Sequence, residues 1–355
     1  MKVFLSGAAL GFTGKLLYRG YDAAHPDESS SLSFSSSSVS SSPGSEGSWL
    51  PSVSCYKSIE NSLQFTFKPA EVFSARFQPY TLGEVIPITH DVALFRFLLP
   101  NPNDEFNLKP CSTLQACYKH GVQAMDQCYR FYTPVTANHT KGYFDIIVKR
   151  KNSGLMTTHL FGMHIGDKLL FRNVAFKIQY RPNKWEHIGM IAGGTGFTPM
   201  LQIIRHALTE PLEPGTVDKT RLSFLYCNRT ENHILLKGLF DRLAKDYPKR
   251  FKLFFTVDRA VNEKEWKKQP NTYLGYVTEQ MIKDTMPAPN TKNSVIMLCG
   301  PDHLLHHVAG TPMHTMSAMS GGLNIQPGAP DLNNLVQLGG VLAALGYQDE
   351  QIYRF

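Results

Sequence analysis

Three glycines in four residues, Gly193-Gly194-Thr195-Gly196, separate the apolar run that begins at His187 from a stretch, Met200 to Arg205, with apolar side chains at helical spacing. Thr198 and Pro199 stand between them, suited to an N-cap and a first helical position. A strand, a glycine turn and a helix in this order bring bare backbone N–H groups and the positive end of a helix dipole to one point. That is anion-binding chemistry. The residues alone leave two readings open: a dinucleotide phosphate site, or a tight turn between a core strand and a core helix. The spacing matches neither G-x-G-x-x-G nor a P-loop.

The surrounding elements bear on the choice. From about Lys184 the chain alternates strand and helix: a strand through Met190, a helix over Thr198 to Ala207, strands at Arg221 to Cys227, Phe251 to Val257 and Ser294 to Cys299. Helices are expected at Ile234 to Asp246, Thr278 to Thr285, Pro301 to Ala309 and Leu332 to Leu345, and a closing strand at Ile352 to Phe355. This pattern predicts a Rossmann-like parallel sheet over 184–355, with a loop insertion at 311–331. Ligands of such sheets lie at the carboxyl ends of the strands, and Gly193, Asn228, Asp258 and Cys299 all fall there. Upstream, over 63–183, short runs separated by Pro, Asn and Gly predict an antiparallel Greek-key barrel. Its strands are expected at Ser62 to Lys68, Phe73 to Tyr80, Val92 to Leu99, Thr113 to Tyr118, Cys128 to Thr133, Gly142 to Lys149 and Asp167 to Phe171.

Length and composition fit this two-domain β plus α/β plan. The chain has 355 residues, 42% of them hydrophobic, and a net charge of +7, which favours an acidic partner or an anionic ligand. No dense Lys/Arg run interleaved with aromatics points to nucleic acid. The six cysteines include no C-x-x-C pair, and His303, His306 and His307 are read as helix-surface side chains, so no metal site is expected. Residues 1–62 form a targeting or anchor-like segment and a Ser-rich linker. The acid-free start, with Lys2, Lys15 and Arg19, reads as a mitochondrial presequence. The alternative is a peripheral membrane association facing the cytosol. The linker is densest in serine from Ser29 to Ser48.

Several motifs occur in order along this framework. Arg130-Phe131-Tyr132-Thr133-Pro134, Gly154-Leu155-Met156-Thr157, the Gly193 to Pro199 turn and Cys299-Gly300-Pro301 resemble the R-x-Y-T/S-P, G-x-M-S/T, glycine-turn and C-G-P motifs of ferredoxin reductase-like flavoproteins. His90-Asp91, Lys141 to Asp145, Asn228 to Glu231, Phe254 to Arg259 and the terminal Phe355 narrow the resemblance to NADH–cytochrome b5 reductases.

The resemblance implies FAD on the barrel and NADH on the second domain. Arg130 would hold the FAD pyrophosphate with Phe131 beside it, Tyr132 would offer an aromatic face to the isoalloxazine, and Thr133 would bond the flavin at N5. Ile147 and Lys149 would line the flavin. Gly154, Met156 and Thr157 would present donors to the diphosphate at a helix start. Gly193, Gly194 and Thr195 would meet NADH and the flavin edge, and Thr198 would cap the helix. Asp258 would read the adenosine ribose and disfavour a 2′-phosphate. Cys299, Gly300 and Pro301 would border the nicotinamide, and Phe355 would pack near the flavin. Thr133, Lys149 and Cys299 are the residues implied in the chemistry: hydride from NADH to flavin, then single electrons to an acidic carrier such as cytochrome b5.

The sequence departs from the family pattern at Cys111-Ser112-Thr113 (commonly G-Q-H), Leu155 (lysine), Asp302 (proline) and His233 (aspartate). It contains no H-P-G-G haem motif. The other expectations are a related NAD(P)H flavin reductase or diaphorase with another acceptor, and a degenerate nucleotide binder without turnover.

Overall fold

Short, largely apolar runs separated by Pro, Asn and Gly build the first sheet, and near-continuous apolar runs build the second. The computed structural model describes residues 72–121, 126–175, 178–210, 212, 215–310 and 339–355. The first sheet is antiparallel throughout: β1 (Gln78–Pro87), β2 (Val92–Leu98), β3 (Ser112–Lys119), β4 (Gln127–Tyr132), β5 (Tyr143–Lys149) and β6 (Lys168–Ala175), in the order β4-β3-β6-β1-β2-β5. This is Greek-key order, since β5 returns beside β2 and β6 closes between β3 and β1. Phe95 and Phe97 of β2, Phe144 and Ile146 of β5, and Tyr80, Leu82 and Phe171 are sealed inside. The Phe144 ring meets those of Phe73, Tyr80, Phe97 and Phe171 at 5.2, 5.3, 5.6 and 5.3 Å. Helix α1 (Leu155–Gly162) adds Met156 and Leu160 to the same core.

Burying alternate residues inward leaves the others facing out. On β2 and β5 the outward set includes Val92, Leu94, Ile147 and Lys149, and Leu94 pairs directly with Ile147. These apolar side chains are covered by the second domain: Val92 and Ile147 are buried in its core cluster, and Leu94 packs against it.

The second sheet is parallel: β7 (His187–Gly193), β8 (Arg221–Asn228), β9 (Phe251–Val257), β10 (Thr272–Leu274), β11 (Ser294–Cys299) and β12 (Ile352–Arg354), ordered β10-β9-β8-β7-β11-β12. Helices α2 (Phe197–Thr209) and α3 (Lys237–Asp246) pack on one face. Helices α5 (Glu279–Thr285), α6 (Asp302–Ala309) and α7 (Gly340–Ala344) pack on the other. The strand order reverses direction at β7, so the crevice for a ligand opens between β7 and β11.

Some boundaries differ from the sequence expectation. The first barrel strand is Gln78–Pro87, not Phe73 to Tyr80, because Phe73 is a plug for the aromatic core, and the backbone before Gln78 turns at Ser74, whose Oγ accepts from Arg76 N. Helix α3 begins at Lys237, since Leu236 takes a left-handed φ of 54° after the buried Ile234 and Leu235. Helix α4 (Glu263–Lys268) and β10 were not expected; buried Trp266 joins them, its Nε1–H donating to Tyr273 O at 2.8 Å. The expectations for 1–62, for a strand over 62–68, for the 311–331 insertion and for the first residues of the last helix lie outside the described residues.

Candidate active site

At the switch point two backbones are pressed together. A Cβ on Gly196 would stand 2.5 Å from Cys299 O, and one on Gly300 would stand 2.9 Å from Gly193 N. The turn after β7 and the Cys299-Gly300-Pro301 segment after β11 therefore form one ledge, possible only with hydrogen in place of side chains. Gly194 is the opposite case. It holds a left-handed φ of 53°, yet a Cβ there would meet nothing within 4 Å, so its backbone faces open space. A ligand can lie against that peptide unobstructed.

The turn is braced from the neighbouring strand. Tyr226 of β8 is fully buried, and its hydroxyl donates to Gly194 O at 3.0 Å. Burial pushes its phenol well above the usual range, so it remains a donor. Next to it, the buried Asn228 Nδ2 lies near the Tyr226 hydroxyl and completes no hydrogen bond of good geometry among the described residues. An unpaired amide at the carboxyl edge of a parallel sheet is costly unless a ligand accepts from it.

Thr198 is not the helix cap. Gly194–Gly196 forms a single tight helical turn that runs directly into α2, whose cap position is Gly196 with no side-chain bond. Thr198 is buried as the second residue of α2, and Pro199 sits third, where its missing N–H would have no partner in any case. Burial pushes the Cys299 thiol up to about 12, so Cys299 offers a neutral, compact side chain to the crevice. Asp258 follows β9. Burial raises its carboxyl, against the opposing pull of His303, Arg229 and Arg259. Phe355 donates its backbone N–H to Leu298 O at 2.9 Å, and its ring packs edge-on to Tyr353 at 5.0 Å.

On the barrel, the expected flavin residues fall on β4 and β5, the two ends of the strand order. Arg130 and Tyr132 are two apart and share one face of β4; Phe131 lies on the opposite face and is 42% exposed. Arg130 Nη1 donates to Tyr129 O at 2.6 Å, and no carboxylate pairs with it among the described residues. Burial holds the Tyr132 phenol above its usual range. Thr133 is buried, with Oγ1 donating to Thr113 Oγ1 at 3.5 Å. Lys149 Nζ stands 3.3 Å from Asp91, which also accepts from Thr89 Oγ1 at 2.9 Å. Burial works against that carboxylate, but Thr89 and Lys149 together keep it below its usual range. Gly154 precedes α1, Met156 is committed to the barrel core, and the Thr157 hydroxyl serves its own loop through Gly154 O and Lys151 O at 3.1 and 3.2 Å. Only backbone donors of this segment are left for a ligand.

The two halves are fastened at several points. Gln202 of α2 accepts from Cys111 N at 2.8 Å and donates to Ser112 O at 3.1 Å. Asn138 Nδ2 donates to Glu210 at 2.9 Å, and Arg205 Nη1 donates to Val135 O. The Gly194–Gly196 turn lies beside β5. One apolar cluster takes in Leu94 and Ile147 of the barrel with Cys299 and Phe355 of the other sheet.

Residues 79–180 match the family model described as "Oxidoreductase FAD-binding domain", and residues 190–310 the one described as "Oxidoreductase NAD-binding domain". A protein named NADH-cytochrome b5 reductase 2 from Coccidioides immitis is 35% identical over 274 residues, covering 77% of this chain and 75% of that protein. The chain belongs to the NADH–cytochrome b5 reductase family. NADH-cytochrome b5 reductase 1 of Aspergillus terreus is 36% identical over 241 residues, 66% of this chain and 76% of that one. Among solved structures, the cytochrome b5 reductase domain of Ulva prolifera nitrate reductase is similar at a TM-score of 0.56 and 28% identity, covering 70% of this chain and 95% of that one.

As a member of this reductase family the chain is an oxidoreductase with an FAD-binding barrel and an NAD-binding sheet. The residues present fit both groups: an open peptide at Gly194, an unpaired amide at Asn228 and a guanidinium without a carboxylate at Arg130. Three departures from the family pattern have a local account. Cys111 takes a φ of 62° so that its N–H reaches Gln202. His233 closes a turn with Thr230 Oγ1 at 2.8 Å. Leu155 leaves an apolar side chain, 53% exposed, at the first position of α1. Reading the sequence did not single out Tyr226 or Gln202, whose roles depend on which strand and loop lie alongside.

Proposed function

We propose that this chain takes hydride from NADH onto FAD and passes the electrons singly to cytochrome b5 or a similar acidic haem carrier. The apolar cluster shared by Leu94, Ile147, Cys299 and Phe355, beside the open Gly194 peptide, carries this reading. A flavin on the barrel and a nicotinamide at the Gly194 peptide would meet beside this cluster, where the turn lies next to β5. Bound FAD supplies the conversion of a two-electron donor into one-electron steps.

The protein's own part is geometric and electrostatic. Arg130 offers a fork to the pyrophosphate, and without a lysine at position 155 it carries that charge with less help. Tyr132 would offer its ring to a bound flavin, and Thr133, already oriented by Thr113, would offer its hydroxyl at N5. Asp91 holds Lys149 at the rim. The Tyr226 brace and the Gly196–Cys299 ledge would hold the nicotinamide in place, with Cys299 beside it as a neutral thiol. No general base is needed. Asp258 accepts from the adenosine ribose hydroxyls. The +7 net charge steers an acidic acceptor toward the flavin edge.

The test uses the purified holoprotein. It is expected to be yellow, to bleach on anaerobic addition of NADH, and to reduce cytochrome b5 at a rate that falls as salt rises. Protein that stays colourless with added FAD refutes the enzyme reading. A reduced flavin that passes no electrons to cytochrome b5 shifts the acceptor to another carrier, as in a diaphorase. We also infer from residues 1–21 a mitochondrial address; cell fractionation that finds the chain on membranes facing the cytosol overturns it.

A further inference from the structure

A parallel sheet gathers the segments that enter its strands at one end, and here that end is strongly basic. The four central strands lie in the order β9-β8-β7-β11 and run the same way, so their entry segments sit side by side, opposite the crevice. Hydrogen bonds tie these segments across. Lys219 N donates to Asn183 Oδ1 and Asn183 Nδ2 to Val217 O, both at 2.8 Å. Arg221 N donates to Glu186 O and Glu186 N to Asn293 O, both at 2.9 Å. Each segment brings exposed cations: Arg181 and Lys184 before β7, Lys219 and Arg221 at β8, Lys249 and Lys252 at β9, and Lys292 before β11. Residues 178–187, 215–221, 247–252 and 287–293 contain only Glu186 and Asp218 as acids. Asp218 is buried and taken up by Arg250 at 3.7 Å, and Glu186 is exposed. None of the exposed cations makes an ion pair among the described residues. Val217 stands among them, 65% exposed, and Trp185 is half-buried with Lys184 Nζ 4.2 Å from its ring.

Self-repulsion among like charges opposes folding, and an anionic surface against this end would offset it. The residue types favour one kind of surface. Lysines outnumber arginines here, whereas protein interfaces favour Arg and are depleted in Lys. A lysine is a point charge without fork geometry, which suits the diffuse negative potential of a lipid leaflet. Trp is enriched where membrane meets water, and an aliphatic loop tip such as Val217 can enter the acyl boundary. We propose that the amino-terminal end of the parallel sheet, with Lys184, Lys219, Arg221 and Lys252, docks on a bilayer that carries acidic phospholipids. Strands β7 and β8 are seven and eight residues long. At about 3.3 Å per residue the carboxyl edge stands roughly 25 Å farther out. The docked chain therefore turns its cofactor crevice to the water, open to soluble donor and acceptor. This contact is separate from any made through residues 1–21, which every variant below retains.

The full chain loaded with FAD tests this by co-sedimentation with vesicles of phosphatidylcholine, alone or with about one third phosphatidylserine. Wild type is expected on the acidic vesicles only, and to come off as salt rises. Each Lys or Arg near such a surface contributes about fivefold in partitioning, so Lys219→Gln/Arg221→Gln/Lys252→Gln should bind about 30-fold more weakly or worse. It should keep its flavin absorbance and its reduction by NADH, since the crevice lies at the other end of the strands. If that variant loses its flavin, Lys184→Gln and Lys219→Gln are read singly, at about fivefold each. Lys109→Gln/Lys119→Gln/Lys141→Gln removes the same charge from the exposed barrel surface and should stay within about twofold of wild type. Wild type that ignores acidic vesicles, or sheet-end variants that bind them like wild type, overturns the proposal. So does a barrel variant that weakens as much. Val217→Trp, at an exposed loop position, reports depth, and brominated acyl chains should quench its fluorescence beyond that of wild type. Binding without that added quenching is a contact by charge alone, as with an acidic protein, and overturns the membrane assignment.

Discussion

Replacing Tyr226 with Phe removes one oxygen from the centre of the second domain. The ring is fully buried, lies parallel to Phe224 at 5.3 Å, and meets Phe197 and Phe240 at 5.6 and 5.8 Å. Phe keeps all of that packing, so the substitution isolates the hydroxyl bond to Gly194 O. Such a bond contributes about 1 kcal/mol net. Gly194 is partly exposed, so its carbonyl can turn to water, and the loss belongs at or below that figure. Thermal melting should therefore fall by about 2–4 °C, the response of a domain of this size to 1 kcal/mol. The catalytic consequence follows from the same energy. If the turn presents the nicotinamide only in its braced position, loosening it by about 1 kcal/mol slows flavin reduction by NADH up to about fivefold. Anaerobic stopped-flow measurement of flavin bleaching over a range of NADH concentrations gives both affinity and rate. An unchanged melting temperature together with an unchanged limiting rate refutes the brace. A loss above about 30-fold refutes it in the other direction, since one indirect hydrogen bond cannot supply so much.

The two glycines of the turn should respond in opposite ways. Gly196→Ala drives a Cβ into the Cys299 carbonyl at 2.5 Å, so melting is expected to drop sharply, by more than for Gly194→Ala. Gly194→Ala has room but a φ of 53°, costing about 1–2 kcal/mol, while its methyl occupies the open face proposed for the nicotinamide; NADH-dependent reduction should suffer more than stability. Equal effects of the two on melting would contradict the ledge. Glu210 supplies a pH test of the fastening between the halves. Burial raises its carboxyl, but His206 and Asn138 outweigh it and hold the group below its usual range. A carboxyl depressed in the folded state stabilises above its unfolded pKa, and that contribution is lost as pH falls through the lower folded value. Glu210→Gln should thus cost about 1–2 kcal/mol at pH 7, with the gap to wild type closing below about pH 4 in chemical denaturation. A gap that is constant from pH 7 to pH 3 sinks the assignment.

Most of this framework could be read from the sequence, because it rests on local pattern. Val92 to Leu98 is an apolar run broken only by Arg96, and Phe251 to Val257 and Ser294 to Cys299 are apolar runs of strand length. The misreadings arise where tertiary partners decide. Phe73 looks like a strand residue because it is apolar, yet its place is set by Phe106 and Phe144, far along the chain. Glu263 to Lys268 is too short and too charged for periodicity to register, and only Trp266 anchors it. Thr198 has the chemistry of a cap, but the Gly194–Gly196 turn starts the helix earlier and leaves no orphan N–H for it.

The site divides along the same line. The residues proposed to touch a cofactor are legible because a ligand constrains their type: a fork at Arg130, bare backbone at Gly194, a carboxylate at Asp258. Residues that hold those groups in place are not, because their type is constrained by a neighbour. Tyr226 passes for one more aromatic in a buried strand until β7 is seen beside β8, with the two strands aligned so that Gly193 pairs with Cys227. Gln202 passes for a polar residue on the solvent side of α2 until Cys111 and Ser112 are found against it. The positive φ of Cys111 belongs to that second class. Cys111→Gly should relieve the left-handed strain, about 1 kcal/mol, while giving up the packing of a buried thiol, so the two changes nearly cancel in stability. A loss of several kcal/mol in denaturant titration would mean that the thiol, rather than the N–H to Gln202, is what position 111 supplies to the interface.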